Sequence, residues 1–423
     1  MAWLSLLVER LTEREARPNN LTGETVPVAP HNRPGKRASM VASCLPATEF
    51  RVAPLQWLVR FARLAALVVP LPFALALPSC SPGPATLPLG GAPTDAASPP
   101  SDGGTAALAD SSLDAEEGTA CGVPFSSTGP WCYRLPDATP SAPNSAAITA
   151  NIQLDIKNNY GTFGINTEQY SSPIFTVPAG TATENWAFDN CDDGSLIPGF
   201  AAALMAVPTT DAMFPSMGTD SEITIYDPSY DQEWEFWVAQ EDGGTWSACW
   251  GGTIQGVSTN PGIFPSPTGA TASGLPLLGF LVRIEELQAG LIDHAINIIT
   301  VRTQANVFSW PANRTDGEVA DADILMEGQR LRLDPAFDTT ALPNSAERTI
   351  AKAMQDYGMI LTDKGGSVVI QAEDPRIYMA QHGTTTNPYD VIFAGRDAYT
   401  VLQEIPIDRL QVLPANYGQS FMH

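Results

Sequence analysis

The chain has 423 residues, with 46 Asp and Glu against 22 Lys and Arg, and a formal charge of −24. A surface that acidic repels nucleic acid and anionic lipid headgroups, so no nucleic-acid partner is expected. Seven of the nine Trp lie beyond residue 130, which places the apolar material for a core in the later part of the chain.

Residues 1–39 are polar, rich in Pro and Arg, and carry no export feature. Met40 is read as the start of the protein, with 1–39 untranslated or disordered. Residues 40–79 read as a signal peptide: Arg51, Arg60 and Arg63 precede the apolar run 64–77, the order of a secretory leader. That run is too short, and too broken by Pro70 and Pro72, for a membrane helix of about 20 residues. Leu77-Pro78-Ser79-Cys80 resembles a bacterial lipobox. Cys80 is therefore expected to carry a lipid that anchors the chain to the cell envelope, with plain cleavage and secretion as the alternative. Residues 81–117 contain no aromatic residue, no Lys and no Arg. Such a stretch buries too little apolar area to order itself, so 80–117 read as the lipidated cysteine and a disordered tether.

Residues 118–423 read as a single extracytoplasmic domain. Cys44 and Cys80 belong to the leader, which leaves Cys121, Cys132, Cys191 and Cys249. In an oxidising compartment these imply two disulfides with three possible connectivities. The favoured pairing is Cys121–Cys132 as a local loop and Cys191–Cys249 as a longer staple, against four free buried thiols. Turn signals at 227–230, 241–244 and 363–366 separate short β-prone runs. The expected fold is all-β, an antiparallel β-sandwich of jelly-roll type with one or two covering helices. One helix should start at Asn344 or Ser345, place Glu347 in its first turn, bury Ile350, Met354 and Tyr357, and stop at Gly358. A helical turn is expected at 285–289, before Gly290.

Residues 221–251 carry the main functional signal. Taking 222–226, 233–239 and 245–250 as a meander with a turn at 241–244 pairs Tyr226 with Glu233, Thr224 with Glu235, and Glu235 with Trp250. Ile223, Ile225, Trp234, Phe236, Val238 and Cys249 then share a core face. Glu222, Thr224, Tyr226, Glu235, Trp237, Trp246 and Trp250 share the other. Aromatic rings beside carboxylates suit a sugar, whose C–H faces stack and whose hydroxyls need acceptors. Glu222 and Glu235 would be diagonal neighbours about 7–8 Å apart. Glycosidases hold their carboxyls about 5–5.5 Å or about 6.5–9.5 Å apart, so the face is read as glycan-binding or glycan-cleaving. The plainer reading is a face covered by a second layer, in an adhesion or structural module without a small ligand.

His294 is the other candidate. A polysaccharide lyase would use it as general base. Asp293 points to the opposite face of the strand and cannot orient it, and the low Lys/Arg content argues against a uronate site. No cofactor is expected. The stretch 189–194 fails as a calcium loop because Cys191 occupies a ligand position and Phe200 stands where the bidentate Glu belongs. No zinc spacing is present. Asp316, Glu318, Asp321 and Asp323 form an acidic loop, read as solvated surface, for which calcium is the one conceivable ion.

Four segments, Gly269–Gly279 (GATASGLPLLG), Gly290–Ile296 (GLIDHAI), Phe308–Arg314 (FSWPANR) and Asp356–Gly365 (DYGMILTDKG), are similar in order and spacing to a family of secreted actinobacterial and myxobacterial proteins of uncharacterised activity. The resemblance covers about 215–375. It implies an extracytoplasmic location and a single domain, and it adds weight to His294 and Trp310, which lie inside the shared motifs. Members often carry His where this chain has Glu222, which implies that catalysis by Glu222 would not be shared across them.

Overall fold

The strand-forming runs assemble into two principal sheets, and in the second the strand Gln232–Trp237 alternates acid and aromatic residues. The computed structural model describes residues 121–191 and 195–422, all within one compact unit, Ala106–His423. The expectations for 1–39, the signal peptide, Cys80 and the tether lie outside the described residues. Among the described residues no helix is long and apolar enough to cross a membrane.

The larger sheet takes β1 (Gly164–Asn166), β11 (Ile296–Thr300), β12 (Arg330–Leu333), β13 (Met359–Lys364), β14 (Val369–Gln371) and β15 (Leu410–Val412), in the order β1-β14-β11-β13-β12-β15. All five residues of β11 are buried, as in a strand covered on both faces. Alternation sends Met359 and Leu361 into one core, with helix faces, while Ile360 enters a second with Trp131, Phe264 and Leu277.

The first core is closed by α1 (Ser145–Asn158) and α4 (Ser345–Asp356). Asn144 leads into α1, which buries Ile148, Ile152 and Asp155 on one side. The expected helix is α4: Asn344 Oδ1 accepts from the N–H groups of Ala346 and Glu347, Ile350 and Met354 are buried, and Gly358 follows at φ +79°. Glu347 Oε1 also accepts from Glu404 N at 3.1 Å. The expected turn before Gly290 is α3 (Ile284–Ala289), with Gly290 at φ +74°. The remaining helices are α2 (Pro198–Ala203), α5 (Pro375–His382) and α6 (Pro388–Ile392).

The second sheet has the order β10-β7-β6-β2, from β2 (Ile174–Thr176), β6 (Ile223–Asp227), β7 (Gln232–Trp237) and β10 (Trp250–Gln255). β6 and β7 pair Tyr226 with Glu233 and Thr224 with Glu235, the expected register. The next pairing differs. Trp250 faces Trp237 and Gly252 faces Glu235, two residues from the expected partner. Gly243 and Gly244, at φ +61° and +85°, form a two-residue turn between β8 (Gln240–Asp242) and β9 (Thr245–Ala248) in place of a four-residue loop. The chain also breaks at Val238, which sits at φ +49°, and at Cys249. β8 and β9 thereby leave the sheet and pair with β4 (Ala187–Phe188), while β3 (Thr183–Glu184) pairs with β5 (Val207–Pro208).

The fold is strand-rich, but its sheets are mixed and, among the described residues, six α-helices accompany them. β1 with β14, β11 with β13, β2 with β6 and β4 with β9 run parallel, so the wholly antiparallel expectation is corrected. Parallel neighbours need long crossovers, and turn signals, which report short hairpins, do not register them.

Both disulfides, Cys121–Cys132 and Cys191–Cys249, join the expected partners. Their loops span 11 and 58 residues, and closure entropy gives about 3 and about 4 kcal/mol respectively. Removing the longer staple as Cys191→Ser/Cys249→Ser should therefore lower unfolding stability more than Cys121→Ser/Cys132→Ser. Urea denaturation checks this, and equal losses would show that closure entropy is not the main contribution.

Candidate functional site

Where the two sheets approach each other, the edges of β7 and β10 and the ends of β13 and β14 enclose a cleft of about 1290 Å³. Trp237 and Trp250, directly opposite on neighbouring strands, form its aromatic wall; Asp220, Glu222 and Asp363 supply carboxyls, and Arg314 and Lys364 are its basic groups.

The approach to β6 holds the first acids in place. Ser221 lies at φ +41° beside Val238, two non-glycine residues in the left-handed region, a strained backbone of the kind found at ligand sites. Val238 N donates to Asp220 O at 2.7 Å and Ala239 N to Ser221 O at 3.0 Å, which clamps the pair. Trp237 Nε1 points at Asp220 Oδ1 from 3.4 Å. Glu222 is 7 % exposed. Burial, then the charges of Asp220, Asp363 and Glu235, hold its carboxyl well above the ordinary range, against the opposing pull of the Gln371 amide. On the facing sheet Asp363 Oδ2 accepts from Ala272 N at 3.0 Å and Oδ1 from Lys364 N at 2.8 Å. Desolvation outweighs these bonds and pushes Asp363 up to about 7. The Arg314 guanidinium lies 5.4 Å from the Trp250 ring centre and donates to the carbonyls of Gly269 and Thr271.

Of the residues singled out from sequence, Glu222, Trp237, Trp250, Cys249 and Asp316 of the acidic loop line this cleft, whereas Glu235, Tyr226, Trp246, Trp310 and His294 do not. Glu235 is fully buried, with Oε1 accepting from Leu278 N at 3.0 Å. The expected Glu222/Glu235 pair therefore does not face one opening, because the Leu277–Leu278 segment covers β7. Tyr226 packs against the core that contains Leu277 and Phe264. Trp246 turns to the opposite core, stacked on Trp186 with ring centres 4.7 Å apart, and touches a smaller cavity of about 390 Å³. Trp310 is held by its N–H on Asn416 Oδ1 at 2.8 Å, away from the cleft.

His294 is also fully buried. Its Nδ1 lies 2.9 Å from Ala295 O and its Nε2 3.0 Å from Glu286 Oε1. Ala295 O only accepts, and the Glu286 carboxyl, held below its ordinary range, accepts as a carboxylate, an arrangement that favours the imidazolium with both ring nitrogens donating. Desolvation is the largest influence and opposes this, but the Glu286 charge together with the hydrogen bonds to Glu286 and Ala295 raises His294, while His294 in turn lowers Glu286. In that form no lone pair remains for a general base. His294 ties α3 to the sheet.

Asp220, Asp363 and Arg314 were missed as site residues. Asp363 belongs to a stretch that reads as a turn, and Arg314 to one that reads as a family motif. The available signal for Asp363 was an acid directly following the apolar run 359–361 and Thr362.

The covered face of β7 carries a titration with a definite sign. Burial pushes Glu235 up to about 8, against bonds from the Leu278 and Leu277 backbone, the Thr224 hydroxyl and the Arg283 charge. Glu233, wholly buried and without a hydrogen-bond partner for either oxygen, is raised by burial and by Glu235. A carboxyl whose folded pKa exceeds its unfolded value keeps its proton in the native state and loses it on unfolding. Stability should therefore fall as pH rises from about 4.3 toward about 8. Thermal melts of wild type and Glu235→Gln across that range should show a shallower decline in the variant; parallel curves would sink the assignment.

No family model, curated protein or solved structure matches the chain, so any function must be argued from the cleft itself.

Proposed function

We propose that the chain is an exported, lipid-anchored surface protein whose cleft binds a glycan and cleaves it by acid–base hydrolysis. The carrying observation is the wall formed by Trp237 and Trp250 beside Asp220 and Glu222, in a cleft of about 1290 Å³. Two adjacent indoles offer stacking area for the apolar faces of sugar rings, and the carboxyls offer acceptors for hydroxyls. The two disulfides support an oxidising, extracytoplasmic setting, and the lipobox-like segment ending at Cys80 supports the anchor.

In this reading burial favours the protonated form of the Glu222 carboxyl, which donates its proton to the leaving glycosidic oxygen. Asp220, at the cleft surface, supplies the carboxylate that completes the pair. Water adds across the bond, its hydroxyl going to the sugar and its proton restoring Glu222. Glu235 is assigned to the core and plays no part in the reaction.

The test is a glycan-array screen of the exported chain. Trp237→Ala should lose the bound glycan by about tenfold or more, since stacking on one ring contributes about 1–3 kcal/mol in the comparable case of nucleic-acid bases. Glu222→Gln should keep binding and lose turnover of that glycan. No binding to plant, fungal or bacterial glycans would favour the adhesion or structural module. For the anchor, Cys80→Ala should move the protein from the membrane fraction to the soluble one; unchanged fractionation would remove the lipid.

A further inference from the structure

We propose that Asp316, Glu327 and Asp363 bind a divalent cation of the calcium type in the wall of the cleft. One oxygen from each carboxylate lies within 4.8 Å of the others. Oxygens held about 2.3–2.6 Å from a shared calcium ion stand at most about 5 Å apart, so the three meet the spacing with little movement.

A second observation points to the same place. Glu327 has no exposed surface, and its Oε1 lacks any hydrogen-bond partner. Its other oxygen accepts from Asp316 N at 3.2 Å, so the carboxyl is held against the cluster. A buried carboxylate oxygen without a partner costs about 1–3 kcal/mol or more. The neighbouring cations do not supply one. Among the described residues neither Glu327 nor Asp363 forms an ion pair. Lys364 Nζ contacts Asp316 Oδ2 at 3.4 Å but makes its shorter bond, 2.8 Å, to Glu318. Arg314 directs its Nη2 to the Gly269 and Thr271 carbonyls.

The donor set names the class of ion. Three carboxylates with no thiolate or imidazole suit a hard cation and disfavour zinc or copper. Ala272 N and Lys364 N hold the Asp363 carboxyl in one orientation, as outer partners do for metal ligands. Asp316 is exposed toward the cleft, so water can fill the rest of the roughly six to eight positions that calcium uses. Glu318, Asp321 and Asp323, the rest of the acidic loop, are not in the cluster.

The test is isothermal titration of the chelator-treated exported chain with calcium chloride, and separately with magnesium chloride, at roughly 150 mM NaCl to screen diffuse binding. One calcium per chain is expected, with Kd about 10⁻⁴–10⁻³ M as in extracellular modules and a Tm rise of about 2–4 °C. Asp316→Asn, an exposed change that spares the core, should weaken calcium at least tenfold. Asp321→Asn should leave it unchanged. Absence of saturable heat up to about 10 mM calcium, or wild-type binding by Asp316→Asn, would falsify the site. No glycan is present in the titration, so its failure is separate from any failure of the glycan reading.

Discussion

The arrangement depends on β7 being buried on both faces. Its sequence, Gln-Glu-Trp-Glu-Phe-Trp, alternates as a strand with one wet face does. Trp234 and Phe236 enter an aromatic core, where Phe236 stacks on Trp186 at 4.4 Å between ring centres. Glu233 and Glu235 face the other way and are covered by the segment around Leu277 and Leu278. Gly252 opposite Glu235 makes that cover possible, since a Cβ there would lie 2.8 Å from Gly269 N. With β7 enclosed, the Trp237 end is the part that stays open, and the cleft begins there.

This burial changes what the acidic composition means. The charge of −24 counts every carboxyl as ionised, yet Glu222, Glu233, Glu235, Glu327 and Glu347 each have less than a tenth of their surface exposed. Desolvation favours the neutral acid at each of them. Two sets among the chain's acids have different surroundings. Those on the covered face of β7 are sealed between sheets. Those at the cleft, Asp220, Glu222, Asp363 and Asp316, adjoin a space large enough for a ligand. One composition therefore yields both a core cost and a polar site, and the difference is solvent access.

His294 illustrates the same separation of residue type from role. A histidine after an aspartate looks like a base with its orienter, but the partner is Glu286, eight residues earlier on α3, and the ring is consumed in holding that helix. Trp246 likewise carries the side chain wanted for sugar stacking and spends it on Trp186. In both cases the backbone direction, set by a neighbouring element, decides whether the group reaches solvent.

Local chemistry was legible without the structure. The two disulfide pairs, the capped helix ending at Gly358 and the Tyr226–Glu233 register follow from spacing, from Asn344 as a cap and from the Asp227 turn, all within a few residues or constrained by cysteine count. The slip at Trp250 and the parallel pairings were not, because a kink at Val238 and crossovers between distant strands leave no periodic trace. Glu222, Trp237 and Trp250 could be placed on one face by alternation, which is a property of the strand alone. That this face meets Asp363 and Arg314, more than sixty residues away in the chain, was decided only when Leu277–Leu278 covered one part of it and left the rest open. Periodicity tells which side chains share a face; only packing tells which neighbour, or which solvent, that face receives.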